Sequence, residues 1–194
     1  MTDLIEKAKI FTKDLLGTES TGHDYYHAIR VMNMAIYLAV GQNVDLDVIK
    51  LASLLHDLDD PKINKTKSSY VSDFLSKNCD KEMAYKVKEI ISSISYSSWL
   101  AGKEVESIEG KIVQDADRLD ALGAIGIARC FSYSGFAKRM IYDNSIEDDS
   151  AIAHFYQKLL KLESLMNTEN AKLIASKRIA FMKNYLDEFF KEWR

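Results

Sequence analysis

The sequence has few of the residues that break helices or cross-link a chain. Its 194 residues include one proline, eight glycines and two cysteines. Because the two cysteines show no paired spacing, we expect no disulfide framework or zinc knuckle and place the protein in the reducing cytoplasm. Apolar residues recur mostly three and four positions apart between the few breakers, and this pattern predicts an all-α fold.

Long apolar runs and a large excess of one charge are lacking as well. The longest uncharged apolar runs, residues 34–40 and 121–128, are far shorter than the ~18 residues that a membrane span needs. The N-terminal residues, MTDLIEKAKIF, carry charges among their apolar positions, unlike a secretory signal. Since the formal net charge is only −3, we expect neither nucleic acid nor a membrane among the partners.

The length of the chain suits one sizeable core and is short for two. We therefore predict a single-domain helical bundle spanning residues 1–194. Its motif-bearing region covers residues 20–140, and the C-terminal helices within 149–193 are expected to pack on it. The predicted helices span residues 2–16, 25–40, 46–59, 65–78, 81–98, 110–130, 149–166 and 169–193.

The last predicted helix has an apolar face at helical spacing. We assign this face to the core or to a homodimer contact. It consists of Ile179, Met182, Leu186, Phe189 and Trp193.

The clearest predicted loop is residues 132–145, SYSGFAKRMIYDNS, which contains Lys138 and Arg139. It is either a solvated connection or a basic lid over an anionic substrate. Two other motifs are set aside. Residues 17–22 have the glycine spacing of a phosphate loop but lack the Lys and Ser or Thr that must follow. His154 has no second ligand at i+3 or i+4, so we assign it a structural role.

The stretch LLHDLDDP, residues 54–61, places one histidine and three carboxylates at the predicted end of an apolar helix. The helix macrodipole favours acids at helix starts and disfavours them at C-termini. The pattern therefore indicates that a cation absent from the sequence compensates part of this charge.

Two histidines are predicted to point inward from neighbouring helices. His27 shares a helix face with Val31 and Ala35, and His56 follows Ala52 by four positions. Two inward imidazoles on adjacent helices can converge on one ion.

A third segment, QDADRLD at residues 114–120, brings further acids onto an apolar helix. Asp117 and Asp120 share a face with Val113 and Ala116, where an unpaired carboxylate is costly. One interpretation is a buried ion-pair network, in which the acids contact Arg30, Arg118 and Arg129. The other is a divalent metal ion, whose four ligands would be His27, His56, Asp57 and Asp117.

Mixed imidazole and carboxylate ligands suit borderline-hard ions better than calcium, which prefers oxygen alone. We expect one divalent ion, manganese first, with magnesium, cobalt, nickel, iron or zinc as alternatives. An octahedral ion would keep two positions for water or phosphate oxygens.

These residues resemble a known family, the HD-domain metal-dependent phosphohydrolases. The resemblance is carried by GHDYYHAIRV, LASLLHDLDDPK and EGKIVQDADRLDALGAIGIAR, and covers roughly residues 20–140. The segments look most like the small bacterial HD hydrolases that include a deoxynucleoside triphosphate pyrophosphohydrolase. The resemblance implies an all-helical fold and one bound divalent ion held by the four ligands named above.

Neighbouring side chains are also expected to have roles, Asp60 from the resemblance and the others from their positions and charges. Asp60 matches the acid that orients or deprotonates the attacking water in related enzymes. His23 would donate to the leaving oxygen or bind phosphate, while Asp24 caps the following helix. The cations expected to bind substrate phosphates are Arg30, Lys62, Lys138 and Arg139. For Arg30 an ion pair with Asp117 or Asp120 is an equal alternative.

The expected substrate is a small phosphorylated molecule, a nucleoside triphosphate that is cleaved to monophosphate and pyrophosphate. A 5′-nucleotidase and a small guanosine tetraphosphate hydrolase are the enzymatic alternatives. A non-catalytic HD module that binds nucleotide or metal is the alternative from another class. Residues 58–116 contain no histidine, so a multi-metal cyclic dinucleotide phosphodiesterase is disfavoured.

Overall fold

The computed structural model describes residues 2–19, 22–61, 64–66, 68–145 and 149–193. Within these ranges the chain forms helices and no strand, which confirms the all-α prediction. The α-helices are α1 (Thr2–Leu16), α2 (Tyr25–Leu38), α3 (Leu46–Leu55), α4 (Tyr70–Asn78), α5 (Lys81–Ile94), α6 (Tyr96–Leu100), α7 (Ile108–Asp120), α8 (Gly123–Phe136), α9 (Ala151–Gln157) and α10 (Glu169–Glu192). A 3₁₀ helix, Leu159–Leu165, lies between α9 and α10. None of the described helices has the length and apolar character required to cross a bilayer.

The chain divides into two compact units. The first comprises residues 1–19 and 23–116, and the second comprises 20–22 and 117–194. The boundary therefore falls within α7. The packing of residues 149–193 on 20–140 within one domain stays a prediction.

Helix α3 is the centre of the first unit and contacts α1, α2 and α5. It is buried on nearly every side, because all residues from Leu51 to Leu55 are inaccessible to solvent. Its N-terminus is capped by Asp45, whose carboxylate accepts hydrogen bonds from the backbone N–H groups of Asp47 and Val48. A helix of this kind carries its last residues into the interior.

Helix α10 is the longest element of the second unit and contacts α8 and the 3₁₀ helix. Three residues of its predicted apolar face, Ile179, Met182 and Leu186, are buried. The face becomes exposed towards the end of the helix, where Trp193 is 52% exposed and its ring lies against Tyr142 and Phe189.

The single helix predicted over residues 110–130 is wrong, since the chain forms α7 and α8 with a break at Ala121 and Leu122. Gly123 adopts φ +73°, a left-handed conformation that glycine accepts without strain. The side chain of Arg178 lies over this glycine, and its guanidinium donates a hydrogen bond to the carbonyl of Leu119. The Leu119 carbonyl, at the C-terminal end of α7, thus accepts a hydrogen bond from a side chain of α10.

Further elements also differ from the predictions. Helix α3 ends at residue 55 instead of 59, and α4 begins at residue 70 instead of 65. Residues 81–98 form two helices because Ser95 is extended and caps α6, accepting from the N–H of Ser98. Residues 149–166 form α9 and the 3₁₀ helix.

Residues 132–136 belong to α8 rather than to a loop, since Gly135 is tolerated inside the helix at a cost of about 1 kcal/mol.

A buried threonine stabilises the end of α3. The carbonyls of the last helical turn have no partner within the helix. Thr12 of α1 is fully buried, and its hydroxyl donates a hydrogen bond of 3.1 Å to the carbonyl of Leu54. This contact joins α1 to the residues that immediately precede His56.

Thr12→Val is expected to lower the free energy of unfolding by about 1–3 kcal/mol. The valine has nearly the same shape but leaves the buried Leu54 carbonyl without its donor. Urea denaturation followed by circular dichroism measures the change. Thr18→Val is the matched control, because Thr18 is exposed and its replacement should change stability by less than about 0.5 kcal/mol. Equal effects of the two substitutions would contradict this role of Thr12.

Candidate metal centre

Helix α2 carries His27 into the interior of the first unit. Asp24 is the N-cap, and its carboxylate accepts a 2.7 Å hydrogen bond from the backbone N–H of His27. The cap predicted for Asp24 is therefore confirmed. His27 is completely inaccessible to solvent, as its position on the apolar face predicted.

The end of α3 supplies the next two side chains. His56 is the C-cap, and the following residues leave the helix through a turn in which Leu58 N–H donates to the carbonyl of Leu55. Leu58 is fully buried and anchors this turn in the core. His56 and Asp57 are therefore held at a helix end rather than along a helix, which directs both side chains towards His27.

The three side chains form a compact cluster of potential ligand atoms. His27 Nε2 and His56 Nε2 are 3.3 Å apart. The Asp57 carboxylate lies 3.3 Å from each, Oδ2 from His27 and Oδ1 from His56. One ligand atom from each residue lies within 4.8 Å of the others, as a shared metal ion requires. This is the only group of three or more such residues within the described ranges.

The backbone fixes which nitrogen of His56 is available. His56 Nδ1 lies 2.8 Å from the carbonyl oxygen of Ser53, which can only accept, so Nδ1 donates. In the neutral ring the lone pair is then on Nε2, the atom that faces the cluster. An imidazole oriented through its other nitrogen in this way is typical of a metal ligand.

Asp57 carries the charge of the cluster. Burial alone would raise the pKa of its carboxyl group, but the neighbouring imidazoles of His56, His27 and His23 hold this pKa well below its usual range. The carboxylate is therefore ionised at neutral pH. Its Oδ2 is buried and has no hydrogen-bond partner among the described residues, although His27 Nε2 lies 3.3 Å away. A buried anionic oxygen without a donor fits a divalent cation.

The three carboxylates of LLHDLDDP point to different surroundings. Asp57 faces the two imidazoles. Asp59 accepts hydrogen bonds from residues at the start of α4. Asp60 is half-buried, and its backbone N–H donates to the carbonyl of Asp57. Only Asp57 belongs to the cluster, whereas Asp59 contacts the start of α4. These contacts account for two of the three acids at this helix end.

His23 lies beside the cluster. Its ring centroid is 5.8 Å from that of His27, in an edge-to-face arrangement. The residue is half-buried and precedes α2. The structure thus brings His23 close to the candidate ligands, whereas its predicted catalytic role stays a prediction.

The predicted phosphate-binding cations are spread over the chain. Arg30 lies on α2 less than one turn after His27 and is half-buried. Lys62 lies outside the described residues. In the second unit, Lys138 is exposed with φ 56°, and Arg139 Nε lies 3.5 Å from the carboxylate of Asp149. Their binding roles stay predictions.

Asp117 and Asp120 of α7 belong to the second unit. Asp120 is buried and forms an ion pair with Arg129, with Oδ2 and Nη1 3.1 Å apart. For Asp120 the ion-pair interpretation therefore applies. Asp117 is half-buried on the same helix, and its role as a fourth ligand stays a prediction.

Comparison with known proteins identifies relatives along the whole chain. The HD domain family matches residues 24–122. YpgQ of Bacillus subtilis (strain 168) is 38% identical over 192 residues, which cover 96% of this chain and 92% of YpgQ. The crystal structure of YpgQ in complex with ADP has a TM-score of 0.82 at 37% identity and covers 97% of both chains.

Two other crystal structures are similar over nearly their full lengths. A protein of Lactobacillus plantarum has a TM-score of 0.90 at 33% identity, covering 100% of this chain and 98% of that protein. A protein of Bacillus thuringiensis described as an HD-superfamily hydrolase has a TM-score of 0.78 at 42% identity, covering 99% of this chain and 97% of that protein.

Manganese is expected to raise the melting temperature of the metal-free protein, because an ion that binds only the folded state stabilises it. His56→Ala should abolish the increase, since it removes one of the three clustered ligands. Thermal unfolding over a manganese titration measures both.

His154→Ala is the matched histidine control, since His154 lies on α9 outside the cluster. It should retain the manganese-dependent increase. If His56→Ala responded to manganese as the unsubstituted protein does, the cluster would not be the metal site.

Proposed function

This chain belongs to the HD domain family, and we propose that it hydrolyses nucleoside triphosphates to a nucleoside monophosphate and pyrophosphate. Its general class is a metal-dependent phosphohydrolase of the HD type. The observation that carries the proposal is the cluster of His27, His56 and Asp57, which offers three converging ligand atoms and one buried anionic oxygen without a donor.

A nucleotide substrate is supported by one relative. YpgQ, which is similar to this chain over 97% of its length, has been crystallised with ADP. A diphosphate ligand in that protein favours substrates with a phosphate chain over other small phosphorylated molecules. The choice of a triphosphate rests on the resemblance of the sequence motifs to the small bacterial HD hydrolases.

The proposed metal site uses His27, His56 and Asp57, with Asp117 as the fourth ligand. A bound divalent ion would supply Lewis-acid polarisation of a phosphoryl oxygen and lower the pKa of a water molecule. The Ser53 carbonyl keeps the His56 ring in the tautomer that presents Nε2. Asp57 supplies negative charge without first releasing a proton, because its carboxyl group is already ionised.

The chemistry beyond the ion is assigned to two neighbouring side chains. Water attacks phosphorus, the bridging bond between the α- and β-phosphates breaks, and two anionic products leave. Asp60 accepts the proton of the attacking water, and His23 donates a proton to the departing oxygen. The edge-to-face contact of His23 with His27 supports this placement of the acid.

The charge of the phosphate chain requires further cations. We assign this role to Arg30, Lys62, Lys138 and Arg139. Arg30 has the strongest support, because it lies three residues after His27 on the same helix.

Product analysis tests the proposed reaction directly. The protein is incubated with nucleoside mono-, di- and triphosphates in manganese or in magnesium, and the products are separated by chromatography. We expect monophosphate and pyrophosphate from a triphosphate, and no product with Asp57→Ala. Phosphate released from a monophosphate would instead identify a 5′-nucleotidase, and cleavage of guanosine tetraphosphate in a parallel reaction would identify that hydrolase. Metal binding without turnover of any nucleotide would contradict the proposal.

Asp60→Asn and His23→Ala separate turnover from metal binding. Each should lower kcat by about 10²- to 10⁴-fold, the usual contribution of a general acid or base. Both should retain the manganese-dependent thermal stabilisation, because neither residue belongs to the ligand cluster. Unchanged steady-state kinetics in either variant would remove that residue from the reaction.

A further inference from the structure

We propose that Asp59 is a positioning residue, which holds the turn carrying Asp57 and Asp60 against the N-terminus of α4 and so sets the geometry of the metal centre. The inference rests on the proposed function, since it assigns Asp57 to the metal and Asp60 to the water. Asp59 itself would touch neither.

Asp59 makes three hydrogen bonds to residues that follow it by five to eleven positions. Its Oδ2 accepts a 2.5 Å hydrogen bond from the hydroxyl of Ser69. Its Oδ1 accepts from the backbone N–H of Tyr70 at 2.8 Å and from the amide of Asn64 at 3.2 Å. Hydrogen bonds to an ionised carboxylate are among the stronger ones in proteins.

The same carboxylate lies at the start of a helix. Ser69 is the N-cap of α4, and Tyr70 is its first residue. Ser69 Oγ accepts from the N–H of Ser72 at 3.0 Å while donating to Asp59. The contacts therefore form a chain from the backbone of α4 to Asp59, in which each hydrogen bond polarises the next. The positive end of the α4 macrodipole adds a favourable charge interaction.

The three hydrogen bonds of Asp59 form a clamp, and this clamp acts on a very short piece of backbone. On its N-terminal side, the turn is anchored by buried Leu58 and by the hydrogen bond from Leu58 N–H to the Leu55 carbonyl. On its C-terminal side, the backbone N–H of Asp60 donates to the Asp57 carbonyl, and the backbone carbonyl of Asp60 accepts from the N–H of Asn64. Asp59 is the side chain that ties this turn to α4.

The position of Asp59 in the sequence couples its hydrogen bonds to the placement of the Asp57 and Asp60 carboxylates. It lies two residues after Asp57 and directly before Asp60, so a rotation of the local backbone displaces both carboxylates. Supporting residues of metal ligands typically contribute 10- to 100-fold to metal affinity or activity. Misplacement of a reacting group by about 1 Å can cost about 100-fold in rate.

The test compares Asp59→Asn with a control of the same chemistry. Asp59→Asn keeps the size of the side chain but removes its charge and turns one acceptor into a donor facing Ser69 Oγ or Tyr70 N–H. Asp73→Asn is the control, because Asp73 is an exposed acid in the first turn of α4. It removes the same charge from the same helix end without touching the turn.

Calorimetric titration of the metal-free full-length protein with manganese is the primary measurement. At a temperature where all variants are folded by circular dichroism, Asp59→Asn should raise the manganese Kd at least about tenfold and lower kcat. Asp73→Asn should leave both unchanged. A Kd and kcat equal to those of the control, even with a lower melting temperature, would show a purely structural role and overturn the proposal.

Ser69→Ala removes a partner of Asp59 and leaves Asp59 itself unchanged. It is the variant to measure if Asp59→Asn does not fold. It removes one of the three contacts, so the Kd should rise by a smaller factor, about fivefold. A Kd equal to that of Asp73→Asn would overturn the proposal here as well. If the unsubstituted protein neither binds manganese nor turns over a nucleotide, the proposed function fails. If it does both and the clamp variants match it, only the role of Asp59 fails.

Discussion

The charge of Asp57 between two imidazoles is the constraint on which the first unit depends. A carboxylate in this position is stable only while positive charge or hydrogen-bond donors compensate it. His27 and His56 supply part of that compensation, and one oxygen keeps no donor among the described residues. A divalent ion would complete it. The same arrangement that is costly to fold is therefore the one that could hold a metal ion.

The fold places this charge through the end of a helix. α3 is buried over residues 51–55, which carries His56 and Asp57 into the interior. At this end the Thr12 hydroxyl donates to the Leu54 carbonyl and His56 Nδ1 donates to the Ser53 carbonyl. In the turn that follows, Asp59 accepts a hydrogen bond from Ser69 at the start of α4. The turn after α3 places Asp57 at the two imidazoles and Asp59 at the start of α4, and Asp60 follows next in the chain.

Sequence reasoning found the parts of this arrangement that depend on local periodicity. His27 and His56 follow apolar residues at helical spacing, so their convergence could be predicted before the structure. Thr12 could have been found by the same signal, since it continues the buried stripe of Ile5 and Ala8. The role of Asp59 could not be predicted from the sequence, because its partners Ser69 and Tyr70 lie at the start of α4. The apolar periodicity predicted that this helix would begin five residues earlier. The break after α7 was also hidden, since it is stabilised by Arg178, 59 residues away from Leu119.

Anomalous diffraction from crystals grown with manganese tests the central claim most directly. Data collected at the manganese absorption edge locate the ion without reference to activity. We expect one anomalous peak within coordination distance of His27 Nε2, His56 Nε2 and the Asp57 carboxylate. A peak at another site, or none at these three side chains at saturating manganese, would contradict it.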